Sequence, residues 1–522
     1  MNIYWLNPPL STRTLYPDLG WMNFKTVCPE YNWLDPIIEW EDYKTLDSLV
    51  EHIANQNPDI LCISTYIWNF KLCHLVAKTL KELNPKLVVI KGGPQQGYTN
   101  TFFDEHPYID YLCYSTGHGE YFLKPFLEQL TEHGFIVEPD KIPFLIMRGY
   151  ETSVKQMKFG FEGKSAIEEN TEYLLKVKGA ANLREQSSAE FFYETTRGCP
   201  YSCVYCEWGG GTGTKVSRKS IDVIKKELEI LSILGYEEIG IIDANFGILP
   251  RDADVLRVVA DLRDTYGYPQ HVYMYGLAKV KAEKKEKILD VLYETGYMGT
   301  SYNMALQSID DIVLTNIKRT DIALEENLNL ARKFKAKGVK EIKVELILGL
   351  PGSTVDIFYN EMELYQEFNA WFEPRNIMTV LPDSEFAQKE YKDKYKVKTA
   401  EIGTTENEEA DTEYVSDSII NEYRSSLLSV VGTYSYSSED WKEMFFMNRA
   451  QRVLGPLIPT DMKASIVLKE QYKSIKTKSW FKPIDNWLTM LVNGELYDRD
   501  IILVDGKEPI EEIVRKNLKD IS

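Results

Sequence analysis

No apolar run in the 522-residue chain approaches the roughly 18 residues that a membrane-crossing helix needs. The start, Met1-Asn2-Ile3-Tyr4-Trp5-Leu6-Asn7-Pro8-Pro9, has neither a basic stretch nor a long apolar core, so no secretory signal is read there. Basic charge is in deficit: 60 Lys and Arg against 79 Asp and Glu leave a net charge of −19. That argues against a broad nucleic-acid surface, which must neutralise phosphates. Cysteine is sparse and odd in number, seven in all, so disulfides are not expected and metal or redox chemistry is. No repeat of solenoid period is visible. These absences point to a cytoplasmic protein with no membrane and no nucleic-acid partner.

What is present is ordinary globular material, 44% apolar and 27% charged. Length suggests about three domains. Residues 1–140 alternate candidate strands (Ile3–Leu6, Asp59–Ser64, Lys86–Lys91, Ile109–Tyr114) with helical stretches such as Leu72–Leu83. That alternation predicts an α/β, doubly wound, Rossmann-like sheet, with ligands beyond the carboxyl ends of its strands. Residues 141–188 read as a connector. Residues 189–390 hold six further strand candidates, Glu190–Thr195, Glu238–Asp243, His271–Gly276, Gly299–Met304, Ile342–Leu348 and Asn376–Leu381. Amphipathic helices separate them. Ser220 suits the N-cap of Ile221–Leu234, and Gly235 and Gly296 suit helix stops. Six β/α units predict a partial TIM-type barrel with its site at the strand C-termini. Residues 391–522 read as mainly helical, after an acidic stretch over Glu401–Glu413.

The most informative run is Arg197-Gly198-Cys199-Pro200-Tyr201-Ser202-Cys203-Val204-Tyr205-Cys206, directly after the first barrel strand. Three soft thiolates on one short loop can converge on one metal centre. Structural zinc wants a fourth Cys or His, and none follows nearby. Three thiolates on a cubane cluster leave one iron open to a cofactor. Three core cysteines or an incomplete zinc site are the alternatives. Cys199-x-x-x-Cys203-x-x-Cys206 resembles the signature of the radical S-adenosylmethionine (SAM) enzymes. The resemblance implies a 4Fe-4S cluster on Cys199, Cys203 and Cys206, with SAM chelated by the fourth iron and cleaved to a 5′-deoxyadenosyl radical. It also implies adenine contact at the backbone of Tyr205. Less sharply, Asp243 or Asn245 would meet the SAM amino group, Asn303 and Gln307 its ribose or carboxylate, and the strand ending at Gly349 its adenine. Strand-end turns and buried backbone are the plainer readings of those positions.

Residues 1–140 resemble the cobalamin-binding domain that precedes the barrel in one branch of that family. The likeness rests on Ser64-Thr65-Tyr66-x-Trp68-Asn69, Gly92-Gly93-Pro94, Gly117-His118-Gly119-Glu120 and the Asn7-Pro8-Pro9 start. It implies cobalamin contacts at Ser64, Tyr66, Gly92, Gly93, Gly117, Gly119 and Glu120. Close backbone approach by glycine and a hydroxyl at Ser64 suit a buried corrinoid tail. The Asp-x-His-x-x-Gly motif that places His beneath cobalt is missing, so a base-off cobalamin without a His ligand is expected. His74 and His118 read as core or surface residues. Cys28, Cys62, Cys73 and Cys113 read as small hydrophobes. A flavodoxin-like sheet without corrinoid is the alternative.

The resemblance implies a cobalamin-dependent radical SAM methyltransferase that carries a methyl group, by way of methylcobalamin and a deoxyadenosyl radical, to an unactivated carbon of a natural-product intermediate or peptide. An electron donor such as flavodoxin or ferredoxin would be its partner. The alternatives are a non-methylating rearrangement or cyclisation, a non-catalytic corrinoid or iron–sulfur protein, and a transfer-RNA methylthiotransferase. The net charge of −19 weakens the last.

Overall fold

The computed structural model describes residues 1–9, 15–95, 97–113, 119–133, 137–151, 164–183, 190–208, 214–274, 279–298, 301–319, 323–372, 374–402, 419–423, 427–495, 503–504 and 508–521. The first sheet contains β1 (Asn2–Leu6), β2 (Asn32–Trp33), β3 (Ile60–Ser64), β4 (Val88–Gly92), β5 (Tyr111–Cys113), β6 (Leu145–Met147) and β7 (Tyr150–Glu151). Their spatial order is β2-β1-β3-β4-β5-β6-β7. The first five are parallel and the last two antiparallel. Every residue of β3 is buried, as a central parallel strand covered on both faces requires. Helix Phe70–Leu83 supplies one cover, burying Leu72, Cys73, Val76, Ala77 and Leu80.

The sheet does not end at residue 140. Residues 145–151, placed in the connector by the sequence reading, add the antiparallel edge. Helix Thr171–Asn182 also serves this domain. The backbone N–H of Asp18 donates to Tyr173 Oη at 3.1 Å, and Tyr173 packs on Trp21 with ring centroids 4.7 Å apart. Two-residue strands give too little alternation to read from sequence, which is why β2 and β7 were missed.

Residues beyond 189 form β8 (Glu190–Tyr193), the small antiparallel pair β9 (Thr196–Arg197) and β10 (Ser217–Arg218), β11 (Glu238–Ile241), β12 (His271–Met274), β13 (Ser301–Gln307), β14 (Glu341–Leu348) and β15 (Asn376–Ile377). β8, β11 and β12 make one parallel three-stranded sheet; β13, β14 and β15 make another. All six predicted strands are present, in chain order and parallel. Ser220 caps helix Ile221–Ile233 by accepting from Val223 N–H, and Gly235 follows at φ +74°. The C-terminal part contains the antiparallel pair β16 (Lys398–Ile402) and β17 (Leu427–Gly432), and helices Ser438–Leu454, Ala464–Ile475, Lys482–Val492 and Ile510–Lys516. Most of the acidic stretch over 401–413 lies outside the described residues. Among the described residues no helix is long and apolar enough to cross a membrane.

Candidate functional site

Cys199, Cys203 and Cys206 lie on the loop that leaves the carboxyl end of the first barrel-type strand. Cys199 and Cys203 are buried and Cys206 is half-buried. The loop is pinned by its backbone: Val204 N–H donates to Ile317 O at 3.2 Å and Phe386 N–H to Val204 O at 2.9 Å. Burial, reinforced by Cys203 and Cys199, pushes the Cys206 thiol up to about 11. Among the described residues no three His, Cys, Asp or Glu side chains close around one ion. Three soft thiols on one short loop are nonetheless a donor set for iron–sulfur chemistry.

Arg319, which the sequence reading missed, completes this loop. It is buried; its Nη1 donates to Tyr205 Oη at 2.9 Å and to Cys203 Sγ at 3.9 Å, and its Nη2 to Ala305 O at 2.6 Å. Its Nε is buried without a partner. An Arg 116 residues beyond Cys203 carries no local signal that would have placed it here.

Asp243 and Asn245 differ from expectation. Asp243 turns both carboxylate oxygens onto the strand that feeds the cysteine loop, accepting from Thr195 N–H at 2.7 Å, Thr195 Oγ1 at 2.5 Å and Thr196 N–H at 3.0 Å. Burial pushes its carboxyl up, against those hydrogen bonds. Its engaged oxygens make it an anchor for the loop. The Asn245 amide exchanges hydrogen bonds with the Lys279 backbone, at 3.3 and 3.4 Å. Asn303 sits in the middle of β13, not at its end, and donates to Glu345 Oε1 at 3.1 Å. Gln307 does end β13, at φ +64°, with Oε1 buried and unpartnered. Gly349 follows β14, but a Cβ there would lie 3.1 Å from Met378 Cβ and 3.2 Å from Val430 O, so protein already packs against it.

In the first sheet, Ser64 and Gly92 are paired in register at the carboxyl ends of β3 and β4. The Tyr66 ring stacks on Trp68 with centroids 4.5 Å apart. Asn69 ties this turn to the start of the chain by donating to Pro8 O at 2.9 Å. A Cβ at Gly92 would meet only Cys113 Cβ, at 3.9 Å, so there is room beside Ser64. Gly93 is different: its φ is +93° and a Cβ would lie 2.4 Å from Thr65 N. The chain's own backbone therefore requires that glycine, with or without a ligand. Gly117 and His118 lie outside the described residues. Gly119 opens helix Gly119–Glu132, and Glu120 pairs with Arg197 Nη1 at 2.8 Å instead of pointing to a ligand alone. His74 is held in an aromatic cluster, 2.8 Å from Tyr108 Oη and stacked on Phe70. Burial first, then Lys91 and His106, drive it down to about 2, so it is neutral and engaged. The four remaining cysteines, Cys28, Cys62, Cys73 and Cys113, are buried.

A second group escaped the sequence reading. Fully buried Lys91, at the end of β4, donates to Gln95 O at 2.5 Å; burial lowers it to about 7. Glu207, next to Cys206, lies near Asp383, and burial with that carboxylate raises it to about 8. Asp383 in turn accepts Gly97 N–H at 3.1 and 3.2 Å.

Residues 193–364 match the radical SAM superfamily. The chain is 33% identical over 302 residues to 2-(S-pantetheinyl)-carbapenam-3-carboxylate methyltransferase of Streptantibioticus cattleyicolor, across 56% of this chain and 43% of that protein. It is 34% identical over 313 residues to the cobalamin-dependent radical SAM methyltransferase TokK of Streptomyces tokunonensis, across 58% and 44%. The chain thus spans less than half the length of these curated relatives. The solved structure of the radical SAM methyltransferase TsrM from Kitasatospora setae, with cobalamin and a [4Fe-4S] cluster bound, superposes with a TM-score of 0.60 over 99% of both chains at 13% identity. That likeness is one of fold. The matched residues begin at the end of β8, take in the cysteine loop and run past β14.

Proposed function

We propose that the chain is a cobalamin-dependent radical SAM methyltransferase acting on an unactivated carbon of a small natural-product intermediate or peptide. The two three-stranded parallel sheets are read as halves of a partial (β/α)6 barrel, and residues 1–140 as the corrinoid-binding part. One observation carries the reading: Arg197, two residues before Cys199, pairs with Glu120 after β5, and Asp383, after β15, accepts from Gly97 N–H after β4, so loops at the strand ends of both halves meet. A reaction that needs two cofactors at one carbon needs such a seam.

When bound, the cluster with SAM would supply a radical, and the corrinoid a transferable methyl group. Cys199, Cys203 and Cys206 would hold the cluster. The unpartnered Arg319 Nε and Gln307 Oε1 are the polar groups suited to the carboxylate and hydroxyls of SAM. Asp243 holds the strand end in place without touching the reacting atoms. Ser64 and Gly92 would border the corrinoid tail. His74 is engaged with Tyr108 and Phe70 and is not offered as a cobalt ligand.

The test is incubation of the reconstituted protein with methyl-labelled SAM, a low-potential reductant, hydroxocobalamin and candidate peptides or natural-product intermediates. Deoxyadenosine and S-adenosylhomocysteine should both form, with label in the product. Deoxyadenosine alone, with an unmethylated product, favours rearrangement or cyclisation.

A further inference from the structure

Two contacts with the first sheet's domain bracket the cysteine loop. Ahead of it, Arg197 Nη1 lies 2.8 Å from Glu120 Oε1, in the first turn of helix Gly119–Glu132, and its Nε lies 2.7 Å from Glu194 Oε2. Behind it, the Glu207 carboxyl lies near Asp383, which accepts from Gly97 N–H. Arg197 is two residues before Cys199, and Glu207 follows Cys206 directly.

The Arg197 pairing has little slack. The three side chains are 15%, 17% and 19% exposed, so the pairing is shielded from water; Glu194 also has Lys219 nearby as a second cation. Burial opposes the Arg197 charge, but Glu120 and Glu194 outweigh it and raise the guanidinium above its ordinary value. The planar fork serves two carboxylates at once, from two different domains. The next residue, Gly198, has φ +92°, and a Cβ there would lie 2.7 Å from Lys215 O and from Thr214 Oγ1. Arg197 and Cys199 are thus joined by a single residue that lies against 214–215, a short path from the ion pair to the first thiol.

We propose that Arg197 is a positioning residue that couples the ligand site of the N-terminal sheet to the iron–sulfur loop, with Glu120 as the lever. The inference rests on reading residues 1–140 as a corrinoid site. Occupation of the sheet's carboxyl edge shifts the start of the Glu120 helix; the ion pair transmits that shift to the cysteine loop. Loading of one cofactor is thereby registered at the other.

The experiment uses the full-length, cluster-reconstituted protein with hydroxocobalamin as probe. The cluster's midpoint potential is titrated by electron paramagnetic resonance with and without the corrinoid. In the unmodified protein the corrinoid should shift the potential. Glu120→Gln, compared at hydroxocobalamin concentrations that saturate each protein, should lose the shift, and Glu120→Asp should recover part of it. Arg197→Lys, which keeps the charge but not the fork, should weaken the shift and serves if Glu120→Gln fails to fold. A full shift in Glu120→Gln, or no shift in unmodified protein that has bound hydroxocobalamin, overturns the coupling. If hydroxocobalamin does not bind at all, the corrinoid reading fails instead. The coupling is then judged by hydrogen exchange of ligand-free protein: faster exchange over 199–206 in Glu120→Gln than over β13 and β14 supports it, and unchanged exchange there overturns it.

Discussion

Arg319 donates to the Tyr205 hydroxyl at 2.9 Å, from a position 114 residues further along the chain. The same nitrogen lies 3.9 Å from Cys203 Sγ. A permanent positive charge is thus built into the wall of the cysteine loop, where thiolates and an incoming carboxylate both gain from it.

Removing that charge tests its role. Arg319→Ala is expected to weaken SAM binding by about ten- to a hundred-fold, the loss of one charge-assisted hydrogen bond worth roughly 1.5–3 kcal/mol. Tyr205→Phe, which removes only the hydroxyl and leaves the guanidinium in place, should cost about fivefold or less, for roughly 1 kcal/mol. Equilibrium dialysis with radiolabelled SAM separates the two. Equal losses would mean that Arg319 acts only by holding the loop.

Simultaneous Cys199→Ala, Cys203→Ala and Cys206→Ala should yield protein that folds but takes up no iron–sulfur cluster. Iron and sulfide analysis after anaerobic reconstitution, with the broad visible absorbance of thiolate-bound iron, is the measurement. Cluster content equal to that of the unmodified protein would break the assignment.

The adjacent glycines Gly92 and Gly93 should respond in opposite ways. Gly93→Ala places a Cβ 2.4 Å from Thr65 N at φ +93° and should cost about 2–4 kcal/mol of stability. Gly92→Ala meets nothing nearer than 3.9 Å and should be tolerated within about 1 kcal/mol, so any loss of corrinoid uptake there reports on the ligand. Urea denaturation and hydroxocobalamin uptake on the same samples check both.

Glu190 supplies a pH test of the domain. Burial, with Glu238 beside it, raises the carboxyl to about 7, and Oε1 has no partner. The folded state therefore binds more protons than the unfolded chain between the ordinary carboxylate value and about 7, so stability falls as pH rises through that window. Glu190→Gln should be more stable than the unmodified protein at pH about 8, by about 1–3 kcal/mol, and the gap should close toward pH about 4. Chemical denaturation at the two pH values reads this directly; a gap that persists in acid would point to packing instead.

The sequence by itself determined the parallel α/β class, because buried strands and amphipathic helices must alternate with periods that composition displays. It also singled out the three cysteines of one short loop as candidate cluster ligands, because their spacing is local. Ser220 and Gly235 ended their helix where the chain said they would. Only the tertiary structure decided what the strand-end polar residues touch. Asp243 faces Thr195 and Thr196, Gly93 packs on Thr65, and Glu120 meets Arg197, each across 28 to 77 positions of sequence. Arg319 came to Cys203 and Tyr205 in the same way. Such partnerships follow from how strands and domains are juxtaposed, and no local propensity or periodicity records that. The cysteine loop was legible because its ligands are neighbours in the chain; its supports were not, because they are neighbours only in space.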